Sequence, residues 1–205
     1  MTLFRGRTLA TQSDSRELSA EMEEELLVRR AATGDEKAYG RLVQAYQARL
    51  FNFVRSMVGN QELAEDITQE AFVKAFFNLS KLKEPARFKS WLFRIANNNT
   101  LDYLRKKKLP QQDVDDQVRE SYVDGHSPEQ GTMDAVRSKH IRLALDQLKP
   151  EQRNILVMCD LQGLSYQEIA EVLSIPFGTV QSRIFYARKK LREFLDPTIV
   201  FGGEA

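Results

Sequence analysis

Apolar positions spaced three to four apart recur in separate blocks along this 205-residue chain, the pattern of amphipathic helices. The first block begins late. Residues 1 to about 20 are polar and show no such spacing before Leu18, which predicts a weakly ordered arm. Glu23-Glu24-Glu25 then leads a first helix, which Gly34 and Asp35 break. A long second helix carries Tyr39, Leu42, Val43, Tyr46, Leu50, Phe53, Val54 and Met57 on one stripe and stops at Gly59-Asn60. A third spans Asn60 to Leu82, with Leu63, Ile67, Ala71, Phe72, Phe76 and Phe77 as its buried side. After a loop with Pro85, Lys83 to Ser90, a fourth helix runs from Phe88 to Lys108, its inward stripe being Phe88, Trp91, Leu92, Ile95, Leu101 and Leu104.

From Leu109 to about Met133 the periodicity dissolves among Pro110, Gly125, Ser127, Pro128 and Gly131, as in a flexible linker. Helical spacing resumes at Asp134 to Leu148, and Pro150 opens another helix, Glu151 to Asp160. The stretch Leu164 to Leu191 then reads as two short helices joined by about three residues. Ser165 followed by Glu168 forms a capping box, Tyr166, Ile169, Ala170 and Leu173 line one face, and Pro176 interrupts. Val180, Ile184, Ala187 and Leu191 line the second helix, which also carries Arg183, Arg188, Lys189, Lys190 and Arg192. That outline fits a DNA-binding helix-turn-helix and also an ordinary helical hairpin with a solvated basic face. The whole is an all-α chain of two small helical domains: arm 1–20, first domain 21–108, linker 109–133, second domain 134–196 and tail 197–205.

Charge changes this picture, although the total is only +1. Arg87 to Lys108 carries +6 (seven Lys/Arg against Asp102), and Pro176 to Leu195 carries +4 (five against Glu193). Between them Gln111 to Asp134 carries −6, seven acids against Arg119. Two basic blocks around an acidic spacer speak for nucleic acid better than a high isoelectric point does. Asn97, Asn98 and Asn99 are poor helix formers, but amides can hydrogen-bond bases or phosphates beside Arg and Lys. Phe88 and Trp91 fit either a core or a stack of unpaired bases. The acids Glu62, Glu65, Asp66 and Glu70, with Gln69, fit a solvated face or a dock for a basic partner.

Catalytic chemistry finds no footing. No His or Cys stands near those carboxylates, so no metal or cofactor is expected; His126 and His140 lack a nucleophile beside them. Cys159, the single cysteine, excludes an intrachain disulfide, fits a reducing compartment and reads as a core residue. No apolar run is long enough to span a membrane, and the N-terminus lacks a secretory apolar region. The expectation is a cytoplasmic protein that is not an enzyme.

Two separated stretches resemble one family. AEDITQEAFVKAF with FKSWLFRIANNNTLDYLRKKK resembles region 2 of bacterial sigma-70-family factors of the extracytoplasmic-function group. LKPEQRNILVMCDLQGLSYQEIAEVLSIPFGTVQSRIFYARKKLR resembles their region 4, and the acidic linker stands where that minimal group lacks a region 3. The resemblance implies transcription initiation by a factor that binds core RNA polymerase, at the largest subunit's coiled coil and the flap. Glu62, Glu65, Asp66, Gln69 and Glu70 would dock there. Lys83, Arg87, Phe88, Lys89, Trp91, Arg94, Asn97, Asn98 and Arg105 would open and hold the promoter −10 element, with one base flipped into the protein. Thr179, Gln181, Ser182, Arg183, Phe185, Tyr186, Arg188 and Lys189 would engage the −35 element. An anti-sigma partner that clamps both domains is also implied. Gln181 and Tyr186 stand where relatives often carry basic residues, so no −35 sequence carries over.

Overall fold

The computed structural model describes residues 7–108 and 133–195, and every regular element among them is helical. The expected linker, apart from Met133, and the tail beyond 196 lie outside the described residues, as do residues 1–6 of the arm. The rest of that arm is helical: α1 runs from Arg7 to Ala32. No Gly or Pro interrupts that stretch, so backbone propensity extends the helix where apolar spacing gives no cue. Val28 and Ala31 fasten its C-terminal half to the core.

α2 (Glu36–Val58) starts where Asp35 Oδ1 accepts a hydrogen bond from the Ala38 N–H at 3.0 Å. The Arg30 guanidinium and that backbone bond also hold the Asp35 carboxyl below the usual carboxylate range, the backbone bond having the larger effect. Gly59 ends α2 at φ 71°, a left-handed position that a side chain would strain. Asn60 caps α3 (Gln61–Asn78) through the Leu63 N–H at 2.8 Å. A short 3-10 turn at Pro85–Arg87 leads straight into α4 (Phe88–Lys108). These four helices share a core whose fully buried members include Leu42, Leu50, Phe53, Phe88, Leu92 and Phe93. Phe53 and Phe93 meet edge to face at 5.4 Å, and each large apolar side chain so buried contributes about 1.5–3 kcal/mol.

The second helical group is smaller. α5 (Met133–Asp146) is followed by α6 (Pro150–Leu156), which widens into a π turn at Val157–Leu161. The expected single helix from Glu151 to Asp160 therefore changes pitch midway. The Gln162 N–H reaches back five residues to the Val157 carbonyl at 2.9 Å. α7 (Tyr166–Leu173) and α8 (Phe177–Phe194) follow, joined by Ser174, Ile175 and Pro176. Ile155, Leu156, Met158, Ile169, Val180 and Ile184 form their core.

The two groups lie against each other, α7 on α4 and α6 on α2. The contact merges their apolar cores into one cluster and adds polar bonds across it. Arg153, on α6, donates to the Leu145 and Asp146 carbonyls at 3.0 and 2.7 Å and to the Ser56 carbonyl of α2 at 3.3 Å. Arg49 of α2 donates to the Gln162 carbonyl, and the Asn154 amide donates to Asn97 Oδ1 at 3.1 Å.

Candidate nucleic-acid interface

The helix-turn-helix is built as its residues dictate. Ser165 Oγ accepts from the Glu168 N–H at 3.2 Å, and Glu168 Oε2 accepts from the Ser165 N–H at 2.6 Å, a closed capping box. Ser174 takes the left-handed conformation at φ 54° and turns the chain into Pro176, which precedes α8. Val180, Ile184 and Ala187 hold α8 to the core, so Gln181, Ser182, Arg183, Phe185, Tyr186 and Lys189 face outward. Phe185 and Tyr186 are 64% and 62% exposed and meet edge to face at 5.4 Å. Two large rings held open to solvent form an apolar patch beside Arg183, which makes no ion pair among the described residues. Thr179 is half-buried at the head of α8.

Arg188 is placed differently from its neighbours. Its guanidinium turns back to Asp160 Oδ1 at 2.5 Å and also reaches the Tyr166 hydroxyl at 3.4 Å. The Asp160 hydrogen bond pushes the Arg188 pKa upward, so the pair ties α8 to the π turn. Cys159 sits beneath this contact. Burial, with Asp160 adding to it, pushes the thiol up to about 11, which leaves it protonated at neutral pH.

On α4, Arg94, Asn98 and Arg105 are exposed along one side, and Lys83 and Arg87 are exposed just before the helix. Trp91 and Lys89 are half-buried. Phe88 and Asn97 are not on this surface. Phe88 is fully buried, its ring 5.5 Å from Tyr46 and 6.2 Å from Trp91, and so supports Trp91 from the core side. Asn97 is 2% exposed and hydrogen-bonded to Asn154. Asn99 is also buried and accepts from Lys74 Nζ at 2.7 Å, leaving Asn98 as the open member of the triplet.

Glu62, Glu65, Asp66, Gln69 and Glu70 are all exposed on α3. Val73 and Phe77 continue that side of the helix and are 54% and 73% exposed. Phe77, expected on the buried side from its spacing, faces solvent. The core closes over Phe72 and Ala75 instead, while Phe76, 5.0 Å from Tyr39, takes the half-buried position. The acidic face thus ends in an apolar tip that polarity alone would have missed. A shallow groove lined by Val43, Phe51, Phe72 and Val73 runs beside it, between α2 and α3.

Comparison with known proteins decides what these surfaces belong to. Residues 42–109 match the model of Sigma-70 region 2, and residues 139–191 match that of Sigma-70, region 4. The ECF RNA polymerase sigma factor SigW of Bacillus subtilis is 34% identical over 82% of this chain and 94% of its own length. This chain belongs to the extracytoplasmic-function group of RNA polymerase sigma factors. The ECF RNA polymerase sigma factor SigE of Mycolicibacterium smegmatis is 36% identical over 80% of this chain, which spans 65% of that relative. Among solved structures, CnrH in complex with the cytosolic domain of CnrY aligns at a TM-score of 0.62 with 27% identity, over 83% of this sigma factor and 96% of CnrH. The family is one of transcription factors. Among the described residues of this sigma factor no helix is long and apolar enough to cross a membrane, and no three His, Cys, Asp or Glu side chains are grouped to hold a metal ion.

Proposed function

We propose that this sigma factor divides promoter recognition among three surfaces: α3 for core polymerase, α4 for the melted −10 strand and α8 for the −35 duplex. The observation that carries the reading is the pairing, in one chain, of an outward-facing recognition helix with a second basic helix. A duplex-binding repressor needs only the first of these. Cations on α4 and in the loop before it attract the backbone of a freed strand, and the half-buried Trp91, backed by Phe88, offers a ring for an unstacked base. Such contacts offset the few kcal/mol that unstacking costs.

On α8, Gln181, Ser182, Arg183, Phe185 and Tyr186 lie toward the groove, while Lys189 serves the backbone. Arg188 acts on DNA through the fold, by fixing α8 against the π turn. Core polymerase docks on the acids of α3, with Val73 and Phe77 as an apolar anchor at the end of the same face. The protein works in the cytoplasm, where the polymerase is. CnrH is held by the cytosolic domain of another protein, which supports an anti-sigma partner here as well.

A charge reversal tests the division. Glu62→Lys with Asp66→Lys is expected to weaken binding to core polymerase at least tenfold and to leave duplex binding by α8 unchanged. Equal loss of both activities would refute separate surfaces.

A further inference from the structure

Region 4 covers part of the strand-binding surface of region 2 with its own carboxylates. Glu171 of α7 accepts a hydrogen bond from Ser90 Oγ at 2.8 Å and pairs with Arg87 at 3.2 Å. One turn earlier, Glu168 pairs with Lys89 at 3.1 Å, and Lys89 Nζ also donates to the Gly163 carbonyl at 3.0 Å. Beside these pairs Trp91 and Arg94 line a half-open cleft together with Glu171 and Ser174. Further along α4, Asn97 is covered by Asn154 of region 4. Arg87, Lys89, Trp91 and Arg94 are four of the residues expected above at the −10 strand. Region 4 pairs with Lys89 and with Arg87, which also pairs with its own Glu84 at 2.7 Å, and it shares a cleft with Trp91 and the exposed Arg94.

We propose that Glu168 and Glu171 form an intramolecular latch that occupies Arg87 and Lys89, phosphate-binding cations at the head of α4, so that the chain alone is partly closed to the −10 strand. Carboxylates and phosphate oxygens present the same chemistry to Arg and Lys: anionic acceptors of charge-assisted hydrogen bonds. The latch and the DNA strand therefore compete for the same donors. The occlusion is one-sided, because Gln181, Ser182, Arg183, Phe185 and Tyr186 stay exposed in the closed arrangement. A closed chain keeps its duplex-reading helix free and covers the start of its strand-reading one, leaving Asn98 and Arg105 exposed.

The contact is suited to opening. At the Glu168 and Glu171 end it is made of partly exposed ion pairs, which are individually weak in water and exchange readily for other anions. Salt screens such pairs. A partner that binds the open arrangement better than the closed one shifts the chain toward it by the difference. Glu168 also belongs to the capping box of α7, so the residue that starts the helix-turn-helix also holds it on α4.

This inference rests on the assignment of α4 to the −10 strand, and its test reads the latch apart from that assignment. The full chain carries Cys159→Ser and paired spin labels at Lys37 and Arg192, exposed positions on the two helical groups and outside both surfaces. Wild type is expected to give one narrow distance population at low salt. Glu168→Gln with Glu171→Gln keeps hydrogen-bonding groups for the capping box but removes both charges, and it is expected to broaden and lengthen the distances. Glu171→Lys, which leaves the box untouched, should do the same. The same proteins without labels are titrated with a fluorescent mixed-sequence 20-nucleotide single strand, to which both variants should bind at least fivefold tighter than wild type. Distances that do not change between wild type and both variants would overturn the latch. Opened distances with unchanged strand binding would overturn its occluding role. Failure to stimulate core polymerase, measured separately, would count against the sigma assignment and leave the distance result standing.

Discussion

Arg183 and Lys189 stand six positions apart on α8, both exposed, yet the proposed division gives them different work. If Arg183 reads a base edge, Arg183→Ala costs about 1–3 kcal/mol at one −35 position and relaxes the preference there. Lys189→Ala weakens binding to all sequences and flattens its salt dependence. Binding to a panel of single-base −35 variants at two salt concentrations separates these, and identical profiles would contradict the division. Cys159 gives a second check at this scale. A thiol raised from 9 to about 11 holds roughly a hundredfold less thiolate at pH 8, so the folded protein should react with iodoacetamide far more slowly than unfolded chain. Fast alkylation in the native state would contradict the partly buried setting. Residue chemistry was legible in the sequence only in part. Cys159 as a core-side residue and Arg94, Asn98 and Arg105 as an outward set follow from helical spacing. The commitment of Arg188 to Asp160 does not, because twenty-eight residues and a change of helix pitch separate the pair.

Elements were easier to read than residues wherever a local signal closed on itself. The capping box at Ser165 is such a signal, and removing it with Ser165→Ala is expected to cost about 1 kcal/mol, read by denaturant unfolding. Arg153 is the opposite case. Nothing in its neighbourhood marks it, yet it satisfies carbonyls at the end of α5 and one on α2. Arg153→Met should destabilise the fold by about 2–3 kcal/mol, since its loss strips charge-assisted bonds from buried carbonyls. A change under half of that would mean that water replaces the guanidinium. α1 and α3 show where periodicity runs out. α1 begins within the polar stretch, where no Gly or Pro breaks a helix and no apolar stripe announces one. On α3, three phenylalanines within six residues cannot all face one core, and the exposed one ends the acidic face.

At the scale of the whole molecule the charge pattern is the organising fact. Two basic blocks are divided by an acidic spacer, and within the described residues acids of α7 meet cations of region 2. The spacer carries Asp113, Asp115, Asp116 and Glu120; neutralising all four is expected to alter initiation while leaving polymerase docking intact, measured by transcription and core-binding assays on the same protein. An unchanged transcription profile would show that this charge plays no part. The sequence pattern disclosed the two helical groups but not the way they close on each other, since side chains eighty residues apart set that contact. The central claim is that one chain docks on core polymerase and opens a promoter at two spaced elements. Its most direct test is multi-round transcription by purified core polymerase on a promoter library with randomised −35 and −10 elements, with and without the full chain. The account predicts chain-dependent transcripts enriched for one pair of elements at fixed spacing, and weak binding of the chain to those promoters without polymerase. Tight duplex binding by the chain alone, with no chain-dependent transcript, would contradict it.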